Sequence, residues 1–222
     1  MSDTIRLEKK VLSRNDMLAA ELRELFREKG VAVMNMVSSP GSGKTSLLEK
    51  TLGSLSETLS IGVIEGDIQT ENDALRIAAT GVPVHQIQTG GACHLEAEMI
   101  RRALDHFSLE DLDLLIIENV GNLVCPSAFD LGEGIRVSVI SVTEGDDKPL
   151  KYPSMFHSAD VMVVNKMDLL PYTDFSVEKA VAGARSLNPG IRILETSCRT
   201  GEGLDSWSEF VKEFTRKQVS GV

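Results

Sequence analysis

The chain has 222 residues, of which 42% are hydrophobic and 25% are charged, so it is long enough for one globular domain and leaves little room for long disordered segments. Its formal net charge of −10, from 33 acidic and 23 basic residues, argues against bulk electrostatic binding of nucleic acid or of an anionic membrane. No window approaches the roughly 18 apolar residues of a membrane span, and the first residues, MSDTIRLEKK, lack a secretion signal. We therefore expect a cytoplasmic protein with no nucleic-acid or membrane partner.

The predicted elements alternate between helices and strands along one domain, 1–222. Residues 15–29 carry apolar side chains at helical spacing and end at Gly30, which predicts a helix that precedes the core. Seven short apolar runs follow, with helix-like segments between most of them, and 203–218 predicts a terminal helix. The segment 143–158, rich in Gly, Asp, Lys and Pro, is expected to be a mobile loop. This alternation predicts an α/β fold with a mostly parallel sheet of about seven strands flanked by helices.

The stretch SSPGSGKTS, at 38–46, follows the first predicted strand and precedes a helical segment, as a phosphate-binding P-loop does. Ser38 stands where the usual pattern has its first glycine, but the Pro-Gly pair that follows can supply the tight bend. The alternative is a surface turn with a lone lysine. In a P-loop, the lysine neutralises the β- and γ-phosphates and the threonine holds Mg²⁺. The predicted nucleotide contacts are Gly41, Ser42, Gly43, Lys44, Thr45 and Ser46, with Lys44 and Thr45 also assigned to catalysis.

A second motif, NKMD, predicts that the base is guanine. Asn165, Lys166 and Asp168 follow a later predicted strand and are assigned to nucleotide binding. A carboxylate at Asp168 can accept hydrogen bonds from guanine N1–H and from the exocyclic amine, whereas adenine presents an acceptor there. Backbone N–H groups near Ser197 and Cys198, in the segment TSCRTGEG, are expected to contact the base oxygen.

Two acidic residues end predicted strands and are candidates for Mg²⁺ binding and catalysis. Asp67 lies in EGDIQTENDA, and Glu118 lies in ENVG, where it replaces the aspartate of a GTPase D-x-x-G segment. Gly121 would present its N–H to the γ-phosphate. The alternative for Asp67 is a carboxylate at a helix N-terminus. Thr45, Asp67 and Glu118 are the predicted magnesium ligands. The sequence singles out no arginine finger or water-orienting glutamine, so we expect slow intrinsic hydrolysis.

The three cysteines are too few for a disulfide framework and favour free thiols or metal ligands. Cys93 and His94 precede a predicted helix, and Cys125 lies four residues after Gly121. Thiolate and imidazole suit nickel, zinc or copper rather than Mg²⁺. Three donors leave the shell incomplete, which indicates an exchangeable metal or completion by a second copy of the chain. The alternative is that the cysteines are buried small apolar residues. Cys198 is not assigned as a ligand.

Taken together, five segments resemble the HypB family of GTPases, which assist nickel insertion into [NiFe]-hydrogenase. They are SSPGSGKTSLLEK, EGDIQTENDA, QTGGACHLEAEMI, IIENVGNLVCPSAFDLGE and VVNKMDLLPY, and the resemblance covers nearly the whole chain. It implies a P-loop GTPase of the SIMIBI class that forms a homodimer on binding GTP and Mg²⁺. It also implies a nickel or zinc site at the dimer interface made by Cys93, His94 and Cys125. The implied partners are a HypA-type nickel chaperone and the hydrogenase large-subunit precursor.

Three other functions remain open on sequence grounds. The related urease accessory GTPase UreG has a Cys-Pro-His metal motif, whereas this chain has Cys93 and His94 with no proline between them. A P-loop kinase for a small molecule and a regulatory GTP-binding module with structural cysteines are the other two. Some HypB proteins carry an N-terminal cysteine motif or histidine-rich tract. Because 1–84 contains neither cysteine nor histidine, the interface site is expected to be the metal site of this chain.

Overall fold

The computed structural model describes residues 3–67 and 72–220. The strands in these ranges are β1 (Ala32–Ser38), β2 (Ile61–Asp67), β3 (Val84–Gln88), β4 (Leu114–Gly121), β5 (Ile135–Ser141), β6 (Val161–Asn165) and β7 (Arg192–Glu195). The α-helices are α1 (Asp3–Lys29), α2 (Lys44–Leu55), α3 (Asn72–Ala78), α4 (Ala97–Ala103), α5 (Lys148–Lys151), α6 (Pro153–Ser158), α7 (Val177–Leu187) and α8 (Leu204–Ser220). Within the described ranges, none of the helices has the length and apolar character that crossing a bilayer requires.

All seven strands form one parallel sheet in the order β3-β2-β4-β1-β5-β6-β7. This confirms the predicted α/β class and strand number. The central strand β1 lies between β4 and β5, and it is buried along its whole length. Because parallel strands end at the same edge of a sheet, the segments after β1, β4 and β6 meet at one edge, where ligands of open α/β sheets bind.

Alternate side chains of the strands pack against two helical layers. On one face, Met34 and its strand neighbours pack against α2 and α8, and the indole of Trp207 is buried there. Trp207 Nε1 donates to Thr51 Oγ1 at 2.7 Å, which fixes α8 against α2. On the other face, Val33 and its neighbours pack against α1 and α4, while α6 and α7 cover the side of β5 and β6. The sheet is therefore a rigid base for the loops at its edge.

Two predictions about the elements differ from the structure. The first helix begins at Asp3, well before the predicted 15–29, because 3–14 is rich in charged helix formers that apolar spacing does not detect. The segment 143–158 is not an irregular loop, since α5 and α6 lie within it. Its prolines stand in the first turns of these helices, where a missing N–H breaks no helical hydrogen bond.

Candidate functional site

The phosphate loop is a tight turn between β1 and the N-terminus of α2. Gly41 and Gly43 have φ angles of 76° and 92°, in the left-handed region that favours glycine, and a Cβ on Gly43 would overlap the amide of Asn165. Ser42 of the loop is buried, and its Oγ lies within hydrogen-bond distance of two acceptors, Ser39 O at 2.8 Å and Glu144 Oε1 at 2.6 Å. A cavity of about 530 Å³ opens above the loop. Of the predicted residues, it is lined by Gly41, Gly43, Lys44, Thr45, Ser46, Gly121 and Lys166.

The predicted switch carboxylate contacts the P-loop directly. Glu118 Oε1 accepts hydrogen bonds from Lys44 Nζ and from Thr45 Oγ1, both at 2.6 Å. Glu118 is 1% exposed, and in the described part of the chain its second oxygen, Oε2, has no hydrogen-bond partner. A hydroxyl and a buried carboxylate with a spare oxygen fit Mg²⁺, which prefers oxygen ligands. Asp67 ends β2 beside this cavity, but its side chain lies outside the described residues.

A second cavity, of about 370 Å³, adjoins the first and shares Gly43, Ser46 and Lys166 with it. Asp168 and Cys198 line this base-side cavity. Ser197 Oγ donates to Asp168 Oδ1 at 2.6 Å, which orients the carboxylate. The Ser197 N–H donates to Glu202 O at 2.9 Å within the loop, and contact of the N–H groups near Ser197 and Cys198 with the base oxygen stays a prediction. Ser197 contacts the lining of this cavity through the bond of its side chain to Asp168.

The NKMD segment also donates hydrogen bonds to the backbone of the phosphate loop. Asn165 Nδ2 donates to Ser42 O at 2.9 Å, and its Oδ1 accepts from Thr196 Oγ1 at 3.1 Å. Lys166 Nζ donates to Gly41 O at 2.6 Å. Among the described residues Lys166 is the one non-glycine residue with positive φ, at 62°, and this strained conformation directs its stem across the loop. Asn165 and Lys166, at the end of β6, thus both contact the phosphate loop, and Lys166 lines both cavities.

The predicted metal ligands lie together in the structure. The ligand atoms of Cys93, His94 and Cys125 all lie within 4.8 Å of one another, and Cys93 Sγ is 3.8 Å from His94 Nδ1. Cys125 begins a short 3-10 turn, Cys125–Ala128, that follows β4. The pKa of the Cys93 thiol is raised, first by its hydrogen bond with Cys125 and then by burial. A metal that binds here must therefore displace protons from the thiols.

The imidazole of His94 is held on two sides. Its ring stacks on Phe129, with 3.9 Å between the ring centroids and 20° between the planes. Its Nε2 is 3.4 Å from Glu96 Oε1, close enough for an ion pair but without hydrogen-bond alignment. Asn122 Nδ2 donates to the carbonyl of Cys93 at 3.3 Å, which ties this segment to the end of β4. The resulting site offers one nitrogen and two sulfur donors, a set that suits zinc or nickel and is one short of a closed tetrahedral shell.

The structure also brings two basic side chains that the sequence did not single out to the phosphate loop or to the cavity of about 530 Å³ above it, here called the phosphate cavity. Arg76 of α3 lines the cavity and contacts Glu49 Oε2 at 2.6 Å and Ser46 Oγ at 3.2 Å. Lys148 Nζ lies 2.9 Å from both Ser39 Oγ and the Glu144 carboxylate. The signal for Lys148 was its position after the carboxyl end of a predicted strand.

Comparison with known proteins identifies the family. Residues 32–195 match the model of the CobW/HypB/UreG nucleotide-binding domain. A hydrogenase maturation factor HypB from Azotobacter vinelandii is 54% identical over 213 residues, which cover 95% of this chain and 70% of that protein. This chain belongs to the HypB family of hydrogenase maturation factors. The resemblance found in the sequence motifs is therefore confirmed.

Two HypB proteins from Helicobacter pylori extend the comparison. The crystal structure of one, described as a complex with nickel, has a TM-score of 0.88 and 43% identity, covering 93% of this chain and 97% of that chain. A protein from strain J99, named a hydrogenase/urease maturation factor HypB, is 44% identical over 222 residues, or 98% of this chain and 91% of that protein. The HypB fold is thus matched along almost the whole chain, and the predicted SIMIBI-type P-loop fold is confirmed.

Proposed function

We propose that this chain is a GTP-hydrolysing metallochaperone that assists nickel insertion into the large subunit of [NiFe]-hydrogenase. The main observation behind the proposal is that one short segment, 118–125, contacts the phosphate loop at one end and contributes to the metal cluster at the other. Glu118 contacts Lys44 and Thr45 of the phosphate loop, and seven residues later Cys125 contributes to the metal cluster. A change at the phosphates therefore has a direct covalent route to a metal ligand.

Nucleotide binding would change the position of Glu118. Lys44 and Thr45 are both bonded to Glu118 in this structure, and a triphosphate competes for the same two side chains. Glu118 then loses two hydrogen bonds and has to change position. Mg²⁺ would be held by Thr45, Glu118 and Asp67, where it would neutralise charge on the β- and γ-phosphates. We infer that intrinsic hydrolysis is slow. Arg76 lies at the cavity, but its guanidinium is paired with the Glu49 carboxylate, which is consistent with slow hydrolysis.

Nickel is the proposed cargo, and zinc is an alternative occupant because the same ligands accept both ions. We infer that two protomers close around GTP and that a second copy of the cluster completes the metal shell across a two-fold axis. Hydrolysis would then reopen the shell. A HypA-type nickel chaperone would take part in delivering the metal, and the hydrogenase large-subunit precursor would receive the ion. We infer a cytoplasmic location, because metal binding by Cys93 and Cys125 requires free thiols and disulfides are rare in that compartment.

Urease maturation is a second candidate, because the H. pylori relative carries hydrogenase and urease in its name. The chemistry of the metal site is the same for either client enzyme. Deleting the gene and assaying both enzymes with and without added nickel distinguishes the two. Loss of hydrogenase activity alone supports the primary proposal, and loss of urease activity supports the second.

Replacing Asp168 with asparagine tests the guanine assignment. The amide oxygen of asparagine still accepts one hydrogen bond, but its NH₂ faces the guanine amine, so we expect GTP affinity to fall about 100-fold. Xanthosine triphosphate presents an oxygen in place of that amine and should bind the variant better than GTP does. Competition against a fluorescent GTP analogue measures both affinities.

The control for this substitution is Asp205→Asn, which lies at the exposed start of α8 outside the base-side cavity. It should leave both affinities within about twofold of the original protein. Equal binding of GTP and ATP by the unaltered protein, or unchanged GTP affinity in Asp168→Asn, would contradict the guanine assignment.

A further inference from the structure

A buried asparagine connects the switch carboxylate with the metal site. Asn119 follows Glu118 on β4 and is 1% exposed. Its Oδ1 accepts hydrogen bonds from its own neighbour Val120 N–H at 2.9 Å and from Leu95 N–H at 3.3 Å. Leu95 directly follows the metal ligand His94. Asn119, which follows Glu118 in the chain, is thus hydrogen-bonded to the residue that follows the candidate metal ligand His94.

The amide nitrogen of the Asn119 side chain, Nδ2, is the first member of a longer network of polar side chains. Asn119 Nδ2 donates to Asn35 Oδ1 at 3.3 Å, and Asn35 Nδ2 donates to Glu133 Oε1 at 3.0 Å. Glu133 in turn pairs with Arg136, whose Nη2 lies 2.6 Å from Oε1. All four residues are at least nine-tenths buried. Neighbouring positions on β4, β1 and β5 carry this network across the centre of the sheet.

The network ends on the loop that carries the remaining metal ligand. Arg136 Nη2 donates to the carbonyl of Phe129 at 3.0 Å, and Nη1 lies 3.5 Å from the carbonyl of Ser127. Ser127 belongs to the turn that begins at Cys125, and the Phe129 ring stacks on His94. Both ligand-bearing segments are therefore attached to Asn119, one directly and one through three other side chains.

A buried ion pair such as Glu133 with Arg136 adds little net stability compared with well-packed apolar residues, so its main effect here is to fix geometry. We propose that Asn119 is a positioning residue that transmits the nucleotide-dependent position of Glu118 to the Cys93, His94 and Cys125 cluster. This inference rests on the proposed function and identifies the residue through which the two sites communicate. When Glu118 exchanges its bonds with the phosphate loop for a new position, the acceptor on Asn119 moves relative to Leu95, and the spacing of the metal ligands changes.

The test compares nickel affinity in two nucleotide states of the full chain. For the original protein, competition with a chelator in GDP and in a non-hydrolysable GTP analogue should give affinities that differ at least about fivefold. Asn119→Ala should reduce this ratio to below about twofold, while the affinity for the GTP analogue changes little, because Asn119 does not line the phosphate cavity. The control is Thr51→Val, which removes the buried hydrogen bonds of the Thr51 hydroxyl with Trp207 Nε1 and with Leu47 O and should keep the full ratio.

A measurement without substitution covers the case in which Asn119→Ala does not fold. The exchange rate of the Leu95 amide hydrogen, followed by NMR, should differ between the GDP and GTP-analogue states of the original protein. The proposed role of Asn119 would be overturned if folded Asn119→Ala kept the full ratio of nickel affinities between the GDP and GTP-analogue states. It would also be overturned if the Leu95 amide exchanged at the same rate in the two states. If the original protein itself shows one nickel affinity in both states, it is the proposed function that fails.

Discussion

Replacing Cys125 with alanine is expected to weaken nickel binding at least 100-fold and to remove the thiolate-to-nickel absorption band. Cys125 supplies one of the two sulfur donors in the cluster, and its Sγ lies within 4.8 Å of the ligand atoms of Cys93 and His94. Altering residues that merely orient a metal ligand already costs about 10- to 100-fold in affinity, so loss of a ligand should cost at least as much. Chelator competition and elemental analysis of the dialysed protein give the affinity and the stoichiometry.

Cys198→Ala is the matched control for this experiment, since it also removes one partly buried thiol. Cys198 lies in the base-side cavity, where its Sγ is 3.6 Å from Asn165 Oδ1, and burial is the main cause of its raised pKa. Its removal should leave nickel stoichiometry and affinity unchanged. If Cys125→Ala retains the metal, or Cys198→Ala loses it, the cluster is not the nickel site.

Replacing Lys44 with alanine is expected to reduce GTP hydrolysis about 1,000-fold, because the cation that neutralises the β- and γ-phosphates is lost. The same substitution should destabilise the nucleotide-free protein by about 3 kcal/mol, since Glu118 is 1% exposed and would lose its charged partner. Phosphate release assays measure the first effect, and chemical denaturation without nucleotide measures the second.

A double variant separates these two effects of Lys44. Adding Glu118→Gln to Lys44→Ala removes the uncompensated buried charge, so stability should recover while hydrolysis stays lost. Lys179→Ala, at a side chain that is 78% exposed, serves as the control and should change neither quantity. Hydrolysis within tenfold of the original rate in Lys44→Ala would contradict the assignment of the phosphate loop.

Local patterns in the sequence predict those parts of the site that depend on local chemistry. Gly41 and Gly43 mark a turn that needs positive φ, and the apolar runs on either side predict the strand and helix that hold it. The candidate metal ligands are predictable because thiol and imidazole donors cluster near a predicted switch segment. These inferences need only the chain order of the elements.

The remaining parts depend on the order of strands within the sheet, which chain order does not reveal. Asn35, Asn119 and Arg136 are far apart in sequence, and they meet because β1 lies between β4 and β5. Arg76 reaches the phosphate cavity only through the packing of α3 beside α2. The fold of the loop likewise sets the backbone partner of Ser197, whose N–H donates to Glu202 O.

Coupling between the phosphate loop and the metal cluster can be measured by a nickel titration of the unaltered protein in its GDP and GTP-analogue states, with sedimentation velocity on the same samples. We predict that the GTP-analogue state sediments as a dimer and that its nickel affinity differs at least about fivefold from that of the GDP state. Equal nickel affinities, together with a single sedimentation coefficient whichever nucleotide is bound, would contradict the claim that nucleotide binding and metal binding are coupled.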